Sequence, residues 1–276
     1  MKNIIKRLYK AILTYRHNKL NPLRLEFILS DYCNLNCKGC THFSPIAPRK
    51  FISLEQYEKN LKHISAVVND YIKDFFLIGG EPLLYPELTS IMEITRKYFP
   101  EGKISIFTNG LLLPKMSCDF WSAVKKFDIQ LAITRYPIKF DYDAVLALCN
   151  SLGVIYRVFG DRSLADSFYR FGLDESKSQN PVISHFKCYN RGCISVTEDK
   201  IYPCSISACS IYLNNTFGTN FKHLPKDFIY INELKDIEQI KRLRDKPVPF
   251  CRYCVNPPDT VVYSASKREL SEWVNR

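Results

Sequence analysis

Apolar and polar positions along this chain alternate between two regimes. Short continuous apolar runs, of the kind given by a strand buried on both faces, fall at 25–29, 75–78, 104–107, 129–133 and 154–159. Helical patterns separate them. Ser53 with Gln56 three residues on makes a capping-box start for a helix to about 71. Pro86 suits the first turn of a second helix ending near 99–100, a third covers 118–126, and Asp141 caps a fourth reaching 152. Five strand–helix units predict a parallel sheet with helices outside, curled by right-handed crossovers into a barrel or part of one. A polar stretch over 161–187 breaks the rhythm, and a sixth barrel strand is expected at 181–184. Beyond it, 194–196 and 200–202 flank Thr197-Glu198-Asp199, the signature of a hairpin. Ahead of the first strand, Ile5, Leu8, Ile12 and Tyr15 stand at helical spacing. The division that results is an amphipathic leader helix over 1–24, a barrel over 25–184, a cysteine-rich unit over 185–259 and a helical tail over 260–276.

Composition narrows the class. Apolar residues make up 46% of the 276, enough for a real core, and no run approaches the ~18 apolar residues of a membrane span. No secretory signal follows the basic N-terminus, so a cytoplasmic protein is expected. Its eleven cysteines then read as metal ligands before disulfides. The net charge of +11 suggests nucleic acid until it is placed. Seven basic residues and no acid fall within 1–24, which leaves 32 basic against 28 acidic residues, or +4, for the rest. The body is only mildly basic and lacks aromatic–basic interleaving, which counts against a zinc-based nucleic-acid module. The leader is read as a helix packed on the main unit, with peripheral contact to an anionic membrane as the alternative.

The conspicuous residues sit just after strand ends, where sheets of this kind build active sites. Cys33, Cys37 and Cys40 follow the first strand at C-x3-C-x2-C spacing, three thiols within eight residues. Closed zinc sites and electron-transfer clusters use four ligands, so three leave one metal position open. His42 as a fourth ligand is a cramped fit. Gly79-Gly80-Glu81-Pro82 ends the second strand, Thr108-Asn109-Gly110 the third and Thr134-Arg135-Tyr136-Pro137 the fourth. A second cysteine field holds Cys188, Cys193, Cys204, Cys209, Cys251 and Cys254 around the hairpin, with Cys251 and Cys254 spaced as adjacent corners of a metal site. Cys118 and Cys149 read as buried structural thiols.

The cysteine triplet followed by Gly79-Gly80-Glu81-Pro82 in this topology resembles the radical S-adenosylmethionine (SAM) enzymes. The resemblance implies a partial (βα)6 TIM-like barrel. It implies a [4Fe–4S] cluster on Cys33, Cys37 and Cys40 whose open iron binds SAM, and reductive cleavage of SAM to a 5′-deoxyadenosyl radical that takes a substrate hydrogen. Gly79, Gly80, Glu81 and Pro82 would lie along the methionine moiety, and Asn109, Thr134 and Arg135 would contact SAM. The aromatic usual before the third cysteine is absent, Gly39 standing there, and Phe43 or Tyr32 is expected to supply it. The second field resembles a twitch/SPASM-like β-hairpin plus helix unit, with an auxiliary [4Fe–4S] cluster on Cys204, Cys251, Cys254 and either Cys188 or Cys193; zinc is the alternative metal. A reductant such as flavodoxin or ferredoxin is implied. The run from Cys37 through Pro45 resembles proteins of surface-polysaccharide biosynthesis, which favours a sugar, nucleotide-sugar or polyol substrate over a peptide. Ser-x-Asp-Gly, frequent in peptide-modifying relatives, is replaced by Thr134-Arg135-Tyr136-Pro137. Pocket candidates are His42, Arg135, Tyr136, Tyr189 and Arg191. From another class, a non-catalytic electron-transfer protein or a zinc-binding protein would also use these cysteines.

Overall fold

The computed structural model describes residues 23–68, 71–160 and 167–275. Of the leader expected over 1–24, only Leu23 and Arg24 fall among them, and both belong to the first strand. The parallel sheet forms as the apolar runs demand: β1 (Leu23–Ser30), β2 (Ile72–Gly79), β3 (Lys103–Thr108), β4 (Ile129–Thr134) and β5 (Tyr156–Phe159) pair in sequence order. The helices α1 (Leu54–Val68), α2 (Leu88–Tyr98), α3 (Cys118–Lys126) and α4 (Tyr142–Ser151) alternate with them. Their starts follow local chemistry. Ser53 Oγ accepts from Gln56 N at 3.2 Å, Ser117 caps α3, and Asp141 caps α4 by accepting from Ala144 N at 2.9 Å.

Each barrel strand has one face toward the helices and one toward the concave side of the sheet. Leu25, Phe27 and Leu29 of β1 are at most 1% exposed and face the helices, with Phe27 edge-on to Tyr57 of α1. The other face carries Arg24, Glu26 and Ile28. In register with Glu26 stand Phe76, Ser105 and Gln130 of the next three strands. Period-two alternation puts these side chains together on the concave face.

Three expectations need correction. Residues 181–184 are not a strand: α5 (Pro181–Phe186) forms there, because Asn180 caps Val182 N and Ile183 N and Pro181 fits the first turn. The sixth parallel strand is instead β7 (Ile194–Thr197), the first arm of the expected hairpin, which pairs with the free edge of β1 from Leu25↔Ile194 to Phe27↔Val196. With β8 (Lys200–Tyr202) and β9 (Ile229–Tyr230) it completes an eight-stranded sheet. The cysteine-rich unit is therefore continuous with the barrel sheet. The tail is not a helix either. It opens as β10 (Asp259–Val262), antiparallel to β6 (Ser167–Arg170), and only Leu270–Glu272 turn helically. Short helices α6 (Ser205–Cys209), α7 (Ile211–Phe217) and α8 (Ile237–Asp245) pack around the hairpin. Among the described residues no helix is long and apolar enough to cross a membrane.

Candidate functional site

The cysteine loop leaves β1 at the C-terminal edge of the sheet and is held from three sides. From β2, Gly80 N donates to Ser30 O at 2.6 Å and Glu81 N to Tyr32 O at 3.0 Å. This contact explains the glycines. A Cβ on Gly80 would stand 2.2 Å from Tyr32 O, and one on Gly79 2.3 Å from Ser30 O. The pair lets two backbones touch, and the Gly80 and Glu81 amides bond to the cysteine loop. Glu81 is likewise a brace. Its buried carboxylate accepts from Leu83 N at 3.0 Å, Thr108 Oγ1 at 2.6 Å and Asn109 N at 2.9 Å, so it ties the β2 and β3 loops together. Burial raises its carboxyl, against three donors that favour the anion. Pro82 opens a short helical turn that Glu81 caps. Glu81→Gln must turn an amide N–H toward one of these donors. We predict a loss of about 1–3 kcal/mol, larger than for Thr108→Val, measured by anaerobic thermal melting.

From β3, Asn109 Nδ2 donates to Asn34 Oδ1 at 2.7 Å and approaches Cys33 Sγ at 3.8 Å. Leu35 N donates to the same sulfur at 3.3 Å. The third support is the C-terminal segment, more than two hundred residues away in sequence. Lys38 N donates to Ser264 O, Ser266 N to Asn36 O and Trp273 Nε1 to Cys40 O, all between 2.8 and 3.0 Å. Cys37 bridges Ala265, and its thiol meets the Tyr263 hydroxyl. Nothing in the spacing of the sequence pointed to Tyr263 or Trp273.

Gly39 now has a physical account. It sits at φ +69°, where a side chain is strained, and a Cβ would press on Arg170 Cγ at 3.3 Å. Phe43 does not replace the missing aromatic: it is 1% exposed and packs on Trp273 at 5.9 Å between ring centroids. Tyr32 lies under Arg49. The aromatics at the mouth are instead Tyr136, Phe168 and Tyr263, mutually packed at 5.3–5.7 Å. Thr134 is half-buried at the end of β4. Arg135 reaches Asp143 at 2.7 Å and faces the Tyr142 ring. The ion pair occupies Nη2 of Arg135, whereas its Nε is covered and has no hydrogen-bond partner among the described residues.

The three thiols lie within electrostatic reach of one another. Burial first, then neighbouring charges that include Glu81 and Cys40, pushes Cys33 up to about 12, and burial with Cys40 does the same to Cys37. Three thiols on one loop are a fitting donor set for three irons of a cluster.

Across β1 a second group assembles. Cys188, Cys204, Cys251 and Cys254 line one cavity with Ser184, His185, Arg191 and Val248. Burial raises all four thiols. Cys193, the rival of Cys188, does not line this cavity and hydrogen-bonds with Glu26 of β1. The four thiols lining one cavity are a donor set that fits an auxiliary [4Fe–4S] cluster or a tetrahedral zinc. Cys209 is buried between the two groups, within electrostatic reach of Cys40 and Cys204. Cys149 is buried as expected, whereas Cys118 is exposed at the start of α3. His42 Nε2 is covered and has no hydrogen-bond partner among the described residues, and Tyr189 packs edge-on to Tyr169 at the surface.

Comparison with known proteins follows the same lines. Residues 27–133 match the family model of the Radical SAM superfamily. A GTP 3′,8-cyclase of Aliarcobacter butzleri (strain RM4018) is 32% identical over 116 residues, covering 41% of this chain and 35% of that protein. A GTP 3′,8-cyclase of Geobacter sulfurreducens (strain ATCC 51573 / DSM 12127 / PCA) is 30% identical over 118 residues, covering 42% and 36%. The chain thus spans about a third of the length of these curated relatives. Among solved structures, BtrN in complex with AdoMet and 2-DOIA superposes with a TM-score of 0.57 at 15% identity, over 86% of this chain and 94% of that one. At that identity the likeness shows the fold.

Proposed function

We propose that this member of the radical SAM superfamily, an enzyme whose family domain spans residues 27–133, carries out hydrogen abstraction on a small polyhydroxylated substrate such as a sugar, nucleotide sugar or polyol. The observation that carries the reading is the clustering of Cys33, Cys37 and Cys40 on a loop braced by the β2 and β3 turns. When bound, a [4Fe–4S] cluster and SAM supply one-electron reductive cleavage of the sulfonium.

The residues of the chain do the rest. Cys33, Cys37 and Cys40 would hold three irons and leave one for SAM. Asn109 and Leu35 N direct hydrogen bonds at the Cys33 sulfur, and Tyr263 at Cys37, which stabilises thiolate over thiol. Cys188, Cys204, Cys251 and Cys254 would hold the auxiliary [4Fe–4S] cluster, and an electron carrier such as flavodoxin or ferredoxin would feed the pair. The β6–β10 ribbon brings Phe168 beside Tyr136 and Tyr263, and this aromatic cluster next to Cys37 supports a small guest over a peptide.

The test is a substrate panel. Anaerobically reconstituted protein with SAM and reductant is offered sugars, nucleotide sugars, polyols and peptides. A polyhydroxylated substrate is expected to stimulate 5′-deoxyadenosine release and to transfer deuterium into it. Stimulation and transfer confined to peptides would overturn the substrate assignment.

A further inference from the structure

The concave face of the sheet holds a polar group that nothing so far uses. Arg157 of β5 stands in register with Ala132 and, through it, Phe107. Its guanidinium lies over three rings, 5.3 Å from Phe76, 5.3 Å from Phe107 and 4.9 Å from Phe159. These rings form a continuous strip, with centroids 4.4 and 5.6 Å apart. A second cation, Arg24, covers Phe76 at 4.6 Å.

Rings hold a cation but leave its N–H groups unpaired. Arg157 Nε and Nη2 are covered and have no hydrogen-bond partner among the described residues, and neither do Ser105 Oγ and Gln130 Oε1 on the same sheet face. Arg24 and Asp74 act on Arg157 only at longer range, the first repelling and the second attracting. Glu26, one layer lower, is buried and hydrogen-bonds with Cys193 and Ser195 rather than with Arg157. Buried donors left open in a native fold call for a partner.

We propose that Arg157, backed by Ser105, Gln130 and Arg24, is an oxyanion-binding site on the barrel's inner face, so that the substrate is a polyhydroxylated molecule bearing a phosphate, diphosphate or carboxylate. The position fits. Ala132, in register with Arg157, lies two residues before Thr134, so the site sits one side-chain layer beneath the strand ends that carry the cysteine loop. An oxyanion there accepts from the planar guanidinium fork, and the hydroxyl-bearing part reaches up toward the reacting centre. β5 is an edge strand of the sheet, and Phe159 at its end is partly exposed.

The inference rests on the proposed enzyme reading, and the two fail separately. Release of 5′-deoxyadenosine by the wild-type protein without any substrate tests that reading alone. The site is tested by calorimetric binding to cluster-loaded protein with SAM, using glucose 6-phosphate, UDP-glucose, glucuronate and neutral scyllo-inositol as probes. At least one anionic probe is expected to bind about 10-fold or more tightly than scyllo-inositol, and less tightly as salt is raised. The anionic probe that binds names the oxyanion class. Arg157→Met, which keeps the aliphatic stem on the rings, should weaken that probe by about 10-fold or more, with Arg157→Lys between the two. Matched melting temperatures establish that the variants are folded; if Arg157→Met melts early, Ser105→Ala carries the same comparison with a smaller loss. The proposal is overturned if no anionic probe binds in the millimolar range, if the neutral polyol binds as well as the anions, or if folded variants keep wild-type affinity.

Discussion

Gly80→Ala is expected to leave the Cys33 site without its cluster. The added methyl carbon would lie 2.2 Å from Tyr32 O, 2.4 Å from Tyr32 C and 2.8 Å from Cys33 N. All three are backbone atoms of the loop that carries the first thiol, so no side-chain rotation relieves the clash. Either the loop moves away from β2, breaking the bonds from Gly80 N to Ser30 O and from Glu81 N to Tyr32 O, or β2 bends. The cost is about 3 kcal/mol from overpacking alone. Gly102→Ala is the control, since its Cβ would meet Phe99 Cβ at 3.4 Å, an ordinary contact. Iron analysis after anaerobic reconstitution should give about four irons fewer per chain for Gly80→Ala and no change for Gly102→Ala.

Cys188→Ala and Cys193→Ala are expected to differ sharply. Both cysteines fall in the same short segment, and both lie within electrostatic reach of Cys204. Only Cys188 lines the cavity shared by Cys204, Cys251 and Cys254. Cys193 is turned to Glu26, one register position from its own strand's pairing with β1. Removing Cys188 leaves three ligands and should lower iron by up to about four per chain, whereas Cys193→Ala should keep it. Zinc analysis on the same samples settles the metal: one zinc and no second set of irons would favour the mononuclear site.

Much of this architecture was legible because local chemistry and fold agree. Buried parallel strands read as apolar runs, and Ser53, Ser117 and Asp141 cap the helices that follow them. The hairpin was legible for the same reason, Val196↔Ile201 facing each other across its turn. The helix at Pro181 carried its own signal in the Asn180 cap, which an expected sixth strand overrode. What escaped depends on contacts distant in sequence. The tail has no periodicity because its bonds go to the cysteine loop rather than to itself, as Trp273 Nε1 to Cys40 O shows. Phe43 looked available to a ligand, but its backbone at φ +54° turns the ring into the core. Glu81 has the charge to meet an ammonium group, yet three internal donors claim it. Arg135 was similarly open in sequence and is paired in the fold with Asp143.

The central claim is that Cys33, Cys37 and Cys40 build the centre at which SAM is cleaved, apart from the cavity of Cys188, Cys204, Cys251 and Cys254. The direct measurement is 5′-deoxyadenosine released from SAM under a strong reductant by anaerobically reconstituted protein. The wild type, with about eight irons, should release it; the Cys33→Ala, Cys37→Ala, Cys40→Ala triple variant should release none while keeping about four irons. A fully loaded wild type that leaves SAM intact, or a triple variant that cleaves it equally well, would contradict the account.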